Sequence, residues 1–189
     1  MTRFYIFLIL SCLSLSSFAQ SESKPTPVKL VLSGALEFGG DEVAEVLFTN
    51  GDSQSVNAGQ GGSLFAGAQV HIPSLNQVFL RGTVGFKYVT TAAENVNIRM
   101  TRVPVLLTAH YLITDAIHIG GGLVMHTGIK FKADGLGADI PFDAAFGPRI
   151  EAGYKGLALT YTAQNYVSED GDEYAANAFG ISYTFTIPK

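Results

Sequence analysis

The sequence is poor in charge and in cysteine, and it has no tryptophan. Only 15% of its 189 residues are charged, against roughly 25% in an average soluble domain, while 47% are apolar. It also lacks a long hydrophobic run: the longest unbroken apolar stretch is residues 4–10, whereas a membrane-spanning helix needs about 20 apolar residues. These deficits exclude a polytopic helical membrane protein, and the high apolar content excludes a disordered chain.

Basic residues are also in deficit. The 12 lysines and arginines are outnumbered by 16 aspartates and glutamates, which gives a formal net charge of −4 at pH 7. A nucleic-acid-binding domain is expected to carry a basic patch, so we predict that nucleic acid is not a partner. What remains is a chain that is apolar on average but nowhere apolar for long, a pattern that alternation of apolar and polar residues can produce.

The first 19 residues have the features of a secretory signal peptide. Arg3 supplies the positive start, residues 4–10 form the apolar centre, and small residues precede Gln20. A signal peptidase recognises small residues just before its cleavage site, so we expect cleavage between Ala19 and Gln20. Residues 1–19 are therefore predicted to be removed on export.

The single cysteine of the sequence, Cys12, lies inside this signal. Cys12 is the last residue of a lipoprotein-like sequence at residues 9–12, so acylation of Cys12 is the alternative to cleavage after Ala19. If Ala19 precedes the cleavage site, the mature chain has no cysteine and its fold cannot depend on a disulfide. The polar residues 20–27, which include two prolines, are predicted to form a flexible leader.

From residue 28 onward, apolar residues recur at every second position, as in β-strands, whose successive side chains point to opposite faces. In the first segment Leu30 and Leu32 lie on one face, while Glu37 lies on the other. The pattern recurs in eight segments, at residues 29–38, 64–72, 80–88, 102–111, 117–126, 146–154, 157–164 and 179–185. Pro104 and Pro148 fall inside two of them, where each removes a ladder donor, so we expect a bulge at both.

The connectors between these segments alternate between short and long. Tight connectors are expected at residues 73–77, 114–115 and 155–156, and long ones near residues 39–59, 90–97, 128–143 and 166–174. Outer-membrane barrels have this alternation, and because lipid offers no hydrogen bonds, a sheet within it must close on itself. We therefore predict an all-β fold, an eight-stranded antiparallel up-and-down transmembrane β-barrel over residues 28–187. Residues 43–48 could extend the first hairpin above the membrane.

The last predicted strand carries a recognisable motif. In residues 178–185, Gly180 is followed three and five residues later by Tyr183 and Phe185, a spacing similar to the assembly signal of outer-membrane barrels. With the signal peptide and the eight segments, the chain resembles the small eight-stranded barrels of the outer membrane protein A and X class. This resemblance implies a monomeric protein of the cell outer membrane of a Gram-negative bacterium. Its expected partners are outer-membrane lipid, lipopolysaccharide and, during biogenesis, the barrel-assembly machinery.

Ionisable residues on the polar faces are predicted to point into the lumen in two layers. The layer nearer the tight turns holds His71, Arg81, His110, His118 and Glu151, with Arg149 one step above it; the other layer holds Glu37, Lys87, Arg102 and His126. Because polar groups buried in a narrow barrel must pair, we predict a network of salt bridges and hydrogen bonds in which Glu37 pairs with Arg102. The alternatives are a gated, proton-sensitive lumen and a zinc site of three imidazoles and a carboxylate. We predict no metal and no other cofactor.

An enzymatic function is not predicted. Acyl hydrolysis needs a nucleophile beside a base, but the sequence has no His-x-Ser spacing and no histidine after His126. Acidic residues cluster instead in the long connectors, at residues 41–52, 134–143 and 168–173. We therefore expect a structural or surface-interaction protein that displays four acidic extracellular loops, with a small pore or passive channel as the alternative. A third candidate, a secreted soluble barrel that binds an apolar ligand, would point Leu107, Ile119 and Phe179 inward.

Overall fold

The computed structural model describes residues 28–47, 53–93, 96–135 and 138–188, so the predicted signal peptide, the leader and Cys12 lie outside the described residues. The described part folds into β-strands. No helix in it is long and apolar enough to cross a membrane. In chain order the strands are β1 (Val28–Phe38), β2 (Glu42–Leu47), β3 (Ser53–Asn57), β4 (Gly61–Ile72), β5 (Leu75–Ala93), β6 (Val96–Leu112), β7 (Ile117–Lys132), β8 (Ile140–Phe142), β9 (Ala145–Tyr154), β10 (Leu157–Thr162), β11 (Asn165–Val167), β12 (Glu173–Ala175) and β13 (Ala178–Ile187).

Eight of these strands close into a barrel. Each pairs antiparallel with its neighbours in the order β1, β4, β5, β6, β7, β9, β10 and β13, and β13 pairs with β1 to close the ring. The predicted eight-stranded antiparallel barrel is therefore confirmed. Tight turns at residues 73–74, 113–116 and 155–156 lie at one end, which we call the turn end. The opposite end, which carries the longer connectors, is the loop end.

The apolar face of every barrel strand points outward. Leu107, Ile119 and Phe179 are 64%, 49% and 69% exposed, whereas the alternate residues, such as Thr108 and His118, are buried in the lumen. Alternation of this kind gives a barrel that is apolar outside and polar inside. The suggestion of a soluble barrel that holds an apolar ligand in its interior is therefore wrong, because the interior-facing residues are the polar ones.

Several barrel strands continue far beyond the length that a membrane requires. β5, β6 and β7 have 19, 17 and 16 residues, against about 9–11 for a tilted membrane strand. The long loop expected near residues 90–97 is wrong, because β5 and β6 stay paired as far as Ala93 and Val96. The other long connectors also contain strands. β2 pairs with β3, β8 pairs back onto β7, and β11 pairs with β12.

The hydrophobic core of the protein lies at the loop end rather than in the middle of the barrel. The extended strands and the connectors enclose one buried apolar cluster, made of Val56, Ala58, Val89, Ile98, Met100, Ile129, Phe131, Ala133, Phe142, Ala145, Tyr166 and Ala176. We call this cluster the loop-end core. Burial of apolar area is the main stabilising term in water, so this cluster stabilises the loop end.

A bulge interrupts the pairing of β6 with β7 close to Pro104, one of the two positions at which a bulge was expected. Between β6 and β7 the register shifts by one residue next to Thr101 and Val103, and the extra residue is on β7, where Gly128 has a φ of +57°. Glycine adopts that conformation without a steric penalty. The prediction of a bulge at Pro148 is wrong, because the β7–β9 register runs unbroken past it. On its other side, β6 is unpaired with β5 at Val103 and Pro104, and the pairing resumes at Arg102.

Candidate functional site

The lumen near the loop end is organised around one carboxylate held between two cations. Glu37 on β1 accepts from Lys87 Nζ of β5 at Oε2, and from Arg149 Nη1 of β9 at Oε1; both distances are 2.8 Å. All three side chains are at least 95% buried. Gly180 on β13 makes room for the group, since a Cβ there would lie 2.7 Å from Glu37 Cγ. The three charges are thus buried in the lumen and paired with one another.

Arg102 does not pair with Glu37, so the predicted Glu37–Arg102 pair is wrong. Its guanidinium donates instead to the backbone carbonyls of Ala58 and Gln60, the latter at 2.6 Å, and lies 3.4 Å from the hydroxyl of Tyr166. Lys87 adds a bond of 2.6 Å to the carbonyl of the intervening Gly59. The two cations therefore hold three consecutive carbonyls of the connector between β3 and β4, which ties the loop end to the barrel wall.

Tyr166 is a member of this group that the sequence analysis missed. Its side chain is fully buried, its hydroxyl lies 2.5 Å from Nδ1 of His126, and Gln164 Nε2 lies 2.6 Å from the same nitrogen. Burial raises the pKa of the Tyr166 hydroxyl above its ordinary value of 10.0. The signal was present, because Tyr166 continues the inward period-two positions of Thr160, Thr162 and Gln164 into a segment that we expected to be a loop.

The second layer lies near the turn end and centres on Glu151 of β9. Oε1 of Glu151 is 3.4 Å from Arg81 Nη1, 3.3 Å from His110 Nδ1 and 3.3 Å from His118 Nε2. Arg81 also donates to Gln69 Oε1 at 3.1 Å. His71 is only half-buried and reaches this layer through a 2.9 Å contact with Gln69 Nε2. The structure thus brings His110 and His118 to one carboxylate and leaves His71 and His126 apart from it.

Little free volume separates the two layers. The lumen there has a cavity of about 20 Å³, which Thr83, Arg81, Arg149 and Glu151 help to line. A site of this size accommodates about one water molecule. In the described residues, then, the lumen is occupied by side chains and their hydrogen bonds, as expected for a barrel of eight strands.

Carboxylates at the loop end have two different roles. Asp41 is structural: its Oδ2 accepts from the amide of Ala175 at 2.8 Å, and its own amide donates to the Ala175 carbonyl at 2.7 Å. The other exposed acidic side chains at this end are those of Glu42, Glu45, Asp134, Asp139, Asp143, Glu169, Asp170, Asp172 and Glu173. Lys130 and Lys132 are exposed on the extended part of β7, so the surface at this end carries charges of both signs.

Comparisons with known proteins find similarity among solved structures. No protein-family model and no curated protein matches the chain. Among solved structures, it is similar to Ail, the attachment invasion locus protein of Yersinia pestis, with 10% identity over 84% of this chain and 97% of that chain and a TM-score of 0.44. The same protein in complex with the heparin analogue sucrose octasulfate gives 12% identity, the same coverage and a TM-score of 0.43.

The fold assignment depends on the closed ring of eight strands in the chain itself. That ring is the architecture that the resemblance to the small outer-membrane barrels predicted.

Proposed function

We propose that this protein is an integral β-barrel of the bacterial outer membrane with a structural or surface-interaction role. The observation that carries the proposal is the outward apolar belt around a charged, filled lumen. Leu64, Phe146 and Leu159 are 75%, 67% and 64% exposed on three different strands. A monomeric soluble protein rarely exposes contiguous apolar patches beyond a few hundred Å², and lipid is the environment in which such a belt is stable.

Exposed aromatic residues support a lipid environment and indicate how the barrel is oriented in it. Tyr111, Tyr154 and Tyr183 are 45%, 57% and 48% exposed near the turn end, while Phe38 and Phe146 are 60% and 67% exposed near the loop end. Outer-membrane barrels place aromatic girdles at both interfaces, with their short turns facing the periplasm. The turn end is therefore proposed to be periplasmic and the loop end extracellular.

The proposed role follows from the contrast between the two ends. Within the described residues the turn end has three tight turns, whereas the loop end has the extended strands, the paired β2–β3 and β11–β12 hairpins and the loop-end core. An ordered surface loses less conformational entropy on binding than a mobile one. We therefore propose that the loop end is the functional surface and that the barrel anchors it, in contact with outer-membrane lipid and lipopolysaccharide.

A passive channel is the second candidate, and the lumen argues against it. The Glu37–Lys87–Arg149 group and the Arg102 contacts occupy the loop-end half of the lumen, and the cavity beneath them has room for about one water molecule. An ion would have to displace paired, buried side chains at both layers. For assembly, we propose that the machinery recognises β13 through Gly180, Tyr183 and Phe185, since the last two are exposed outward.

Three measurements test the proposal. A membrane barrel should fractionate with outer membranes and migrate faster on a gel before boiling than after it. In a planar lipid bilayer the unaltered protein should give no steady conductance. The double variant Glu37→Ala/Arg149→Ala should give small channels, because it removes two large side chains from the loop-end half of the lumen. Recovery in the soluble fraction would contradict the membrane location. Steady channels of the unaltered protein would favour the pore.

A further inference from the structure

Three side chains at the turn end of the lumen have the spacing of metal ligands. His110, His118 and Glu151 come from the adjacent strands β6, β7 and β9, and their ligand atoms all lie within 4.8 Å of one another. Against the expectation from sequence that no metal is bound, we propose that they form a binding site for a divalent transition-metal ion, with Zn²⁺ as the best-matched ion. Two imidazoles and one carboxylate are a donor set that zinc uses in proteins, with a fourth position left for water.

The distances are long for charge-assisted hydrogen bonds and match those between two ligands of one metal ion. His110 Nδ1 and His118 Nε2 each lie 3.3 Å from Glu151 Oε1. A charge-assisted hydrogen bond from nitrogen to a carboxylate is usually about 2.7–2.9 Å long. Two ligand atoms at about 2.0–2.1 Å from a tetrahedral zinc ion are instead about 3.3–3.4 Å apart. Two of the three edges of the triangle are therefore already at the length that zinc requires.

The His110 ring is oriented and has an unused nitrogen. Its side chain is fully buried, its Nε2 lies 2.7 Å from the hydroxyl of Thr108, and its Nδ1 makes no hydrogen bond. When Nε2 donates to Thr108, Nδ1 presents its lone pair toward Glu151, which is how a hydroxyl or carbonyl partner fixes a metal-binding imidazole. A buried polar atom without a partner is costly, and a bound ion would give it one.

Glycines on the neighbouring strands leave room for the two imidazole rings. A Cβ on Gly120 would collide with the His110 ring, and one on Gly153 would collide with the His118 ring. Phe79 stacks on His110 with a centroid separation of 4.5 Å and an interplanar angle of 6°. His118 and Glu151 keep 6% and 7% of their side-chain area exposed, so an ion can approach from their side.

The nearest charge that opposes cation binding at this site is that of Arg81. Arg81 Nη1 lies 3.4 Å from the same Glu151 oxygen, and Gln69 holds the guanidinium in place. An ion must therefore compete with Arg81 for Glu151, which weakens affinity. Loss of Arg81 should therefore strengthen metal binding while it weakens the hydrogen-bond network. This difference distinguishes a metal site from a purely structural network.

The test uses the full protein, purified in detergent without a histidine tag and treated with a chelator. Co²⁺ and Zn²⁺ are titrated separately, with the visible absorption of tetrahedral Co²⁺ and the midpoint of thermal unfolding as readouts. We expect one ion per chain, intense Co²⁺ bands and a higher unfolding midpoint. His118→Gln and Glu151→Gln should abolish the bands, and Thr108→Val should weaken binding by about 10–100-fold. Arg81→Gln should tighten it.

His71→Gln is the matched control, because His71 lies at the same end of the lumen but outside the triangle. It should leave the affinity unchanged. The proposal is overturned if the unaltered protein gives no tetrahedral Co²⁺ spectrum at millimolar metal. It is equally overturned if His71→Gln weakens binding as much as His118→Gln, or if Arg81→Gln weakens it. If a variant does not refold, Co²⁺ and Zn²⁺ are made to compete for the unaltered protein instead. Loss of the tetrahedral Co²⁺ bands on addition of one Zn²⁺ per chain supports the site, and persistence of the bands contradicts it.

Discussion

Removal of the Glu37 carboxylate should destabilise the barrel more than any other single charge removal at the loop end. Glu37 lies 2.8 Å from both Lys87 Nζ and Arg149 Nη1, and at an effective dielectric constant of about 20 each contact has a Coulomb energy of about 6 kcal/mol. Much of this Coulomb energy compensates for the cost of removing three ions from water. The net loss expected for Glu37→Gln is about 3–5 kcal/mol, because two buried cations lose their counter-ion.

The assay is reversible unfolding by guanidinium chloride in lipid vesicles, followed by far-ultraviolet circular dichroism because the chain has no tryptophan. The triple variant Glu37→Leu/Lys87→Met/Arg149→Met is the matched control. It removes all three charges, so it should recover most of the lost stability, since replacement of a whole buried ionic group by apolar residues is often neutral. A Glu37→Gln protein within about 0.5 kcal/mol of the unaltered one would refute the reasoning, as that is the range of an ordinary surface change.

Three further predictions concern lipid contact and the loop end. Leu107→Arg places a charge in the middle of the lipid-facing surface and should cost about 2–4 kcal/mol of unfolding free energy in vesicles, whereas Leu75→Arg at the turn end should cost about 0–1 kcal/mol. Arg102→Met leaves the carbonyls of Ala58 and Gln60 without their donor, at about 1–3 kcal/mol each; limited proteolysis should then cut the loop end while the barrel stays resistant. The raised pKa of Tyr166 predicts that its stabilising contribution is complete below pH about 10, where unfolded tyrosine is neutral. That contribution is lost as the pH rises from there through the pKa of the folded state, so Tyr166→Phe should be less sensitive to alkaline pH in the same unfolding assay.

A double-mutant cycle distinguishes the observed ion pairs from the one predicted from sequence. Contacting residues typically couple by about 0.5–3 kcal/mol. Glu37 and Arg149 should couple within that range, and Glu37 and Arg102 should couple less, since Arg102 is bound to backbone carbonyls. The sequence could not reveal this difference. Lys87 is two strands from Glu37 around the barrel in one direction and Arg149 is three strands away in the other, so their meeting depends on strand register and tilt, which alternation does not encode.

What alternation does encode is which face each residue occupies. Lipid on one side and a polar lumen on the other impose period two on every barrel strand, so the outward position of Leu30 and the inward position of Glu37 followed from sequence alone. The extension of β5 and β6 did not, because Thr90 and its neighbours carry too few apolar residues to mark a lipid-facing side. At the loop end both faces of a strand meet protein or water, and the pattern there specifies a packed core instead.

The most direct test of the central claim, that lipid surrounds the apolar faces of the barrel strands, is a measurement of side-chain environment in the membrane. Spin labels attached to single cysteines at Leu107, Ile119 and Phe179, in a chain with Cys12 replaced, can be probed with oxygen, which partitions into lipid, and with a water-soluble nickel chelate. All three labels should be accessible to oxygen and shielded from nickel, while a label at the lumen residue Thr83 should be shielded from both. Labels at the three outward positions that collide freely with nickel in vesicle-bound protein would contradict the account.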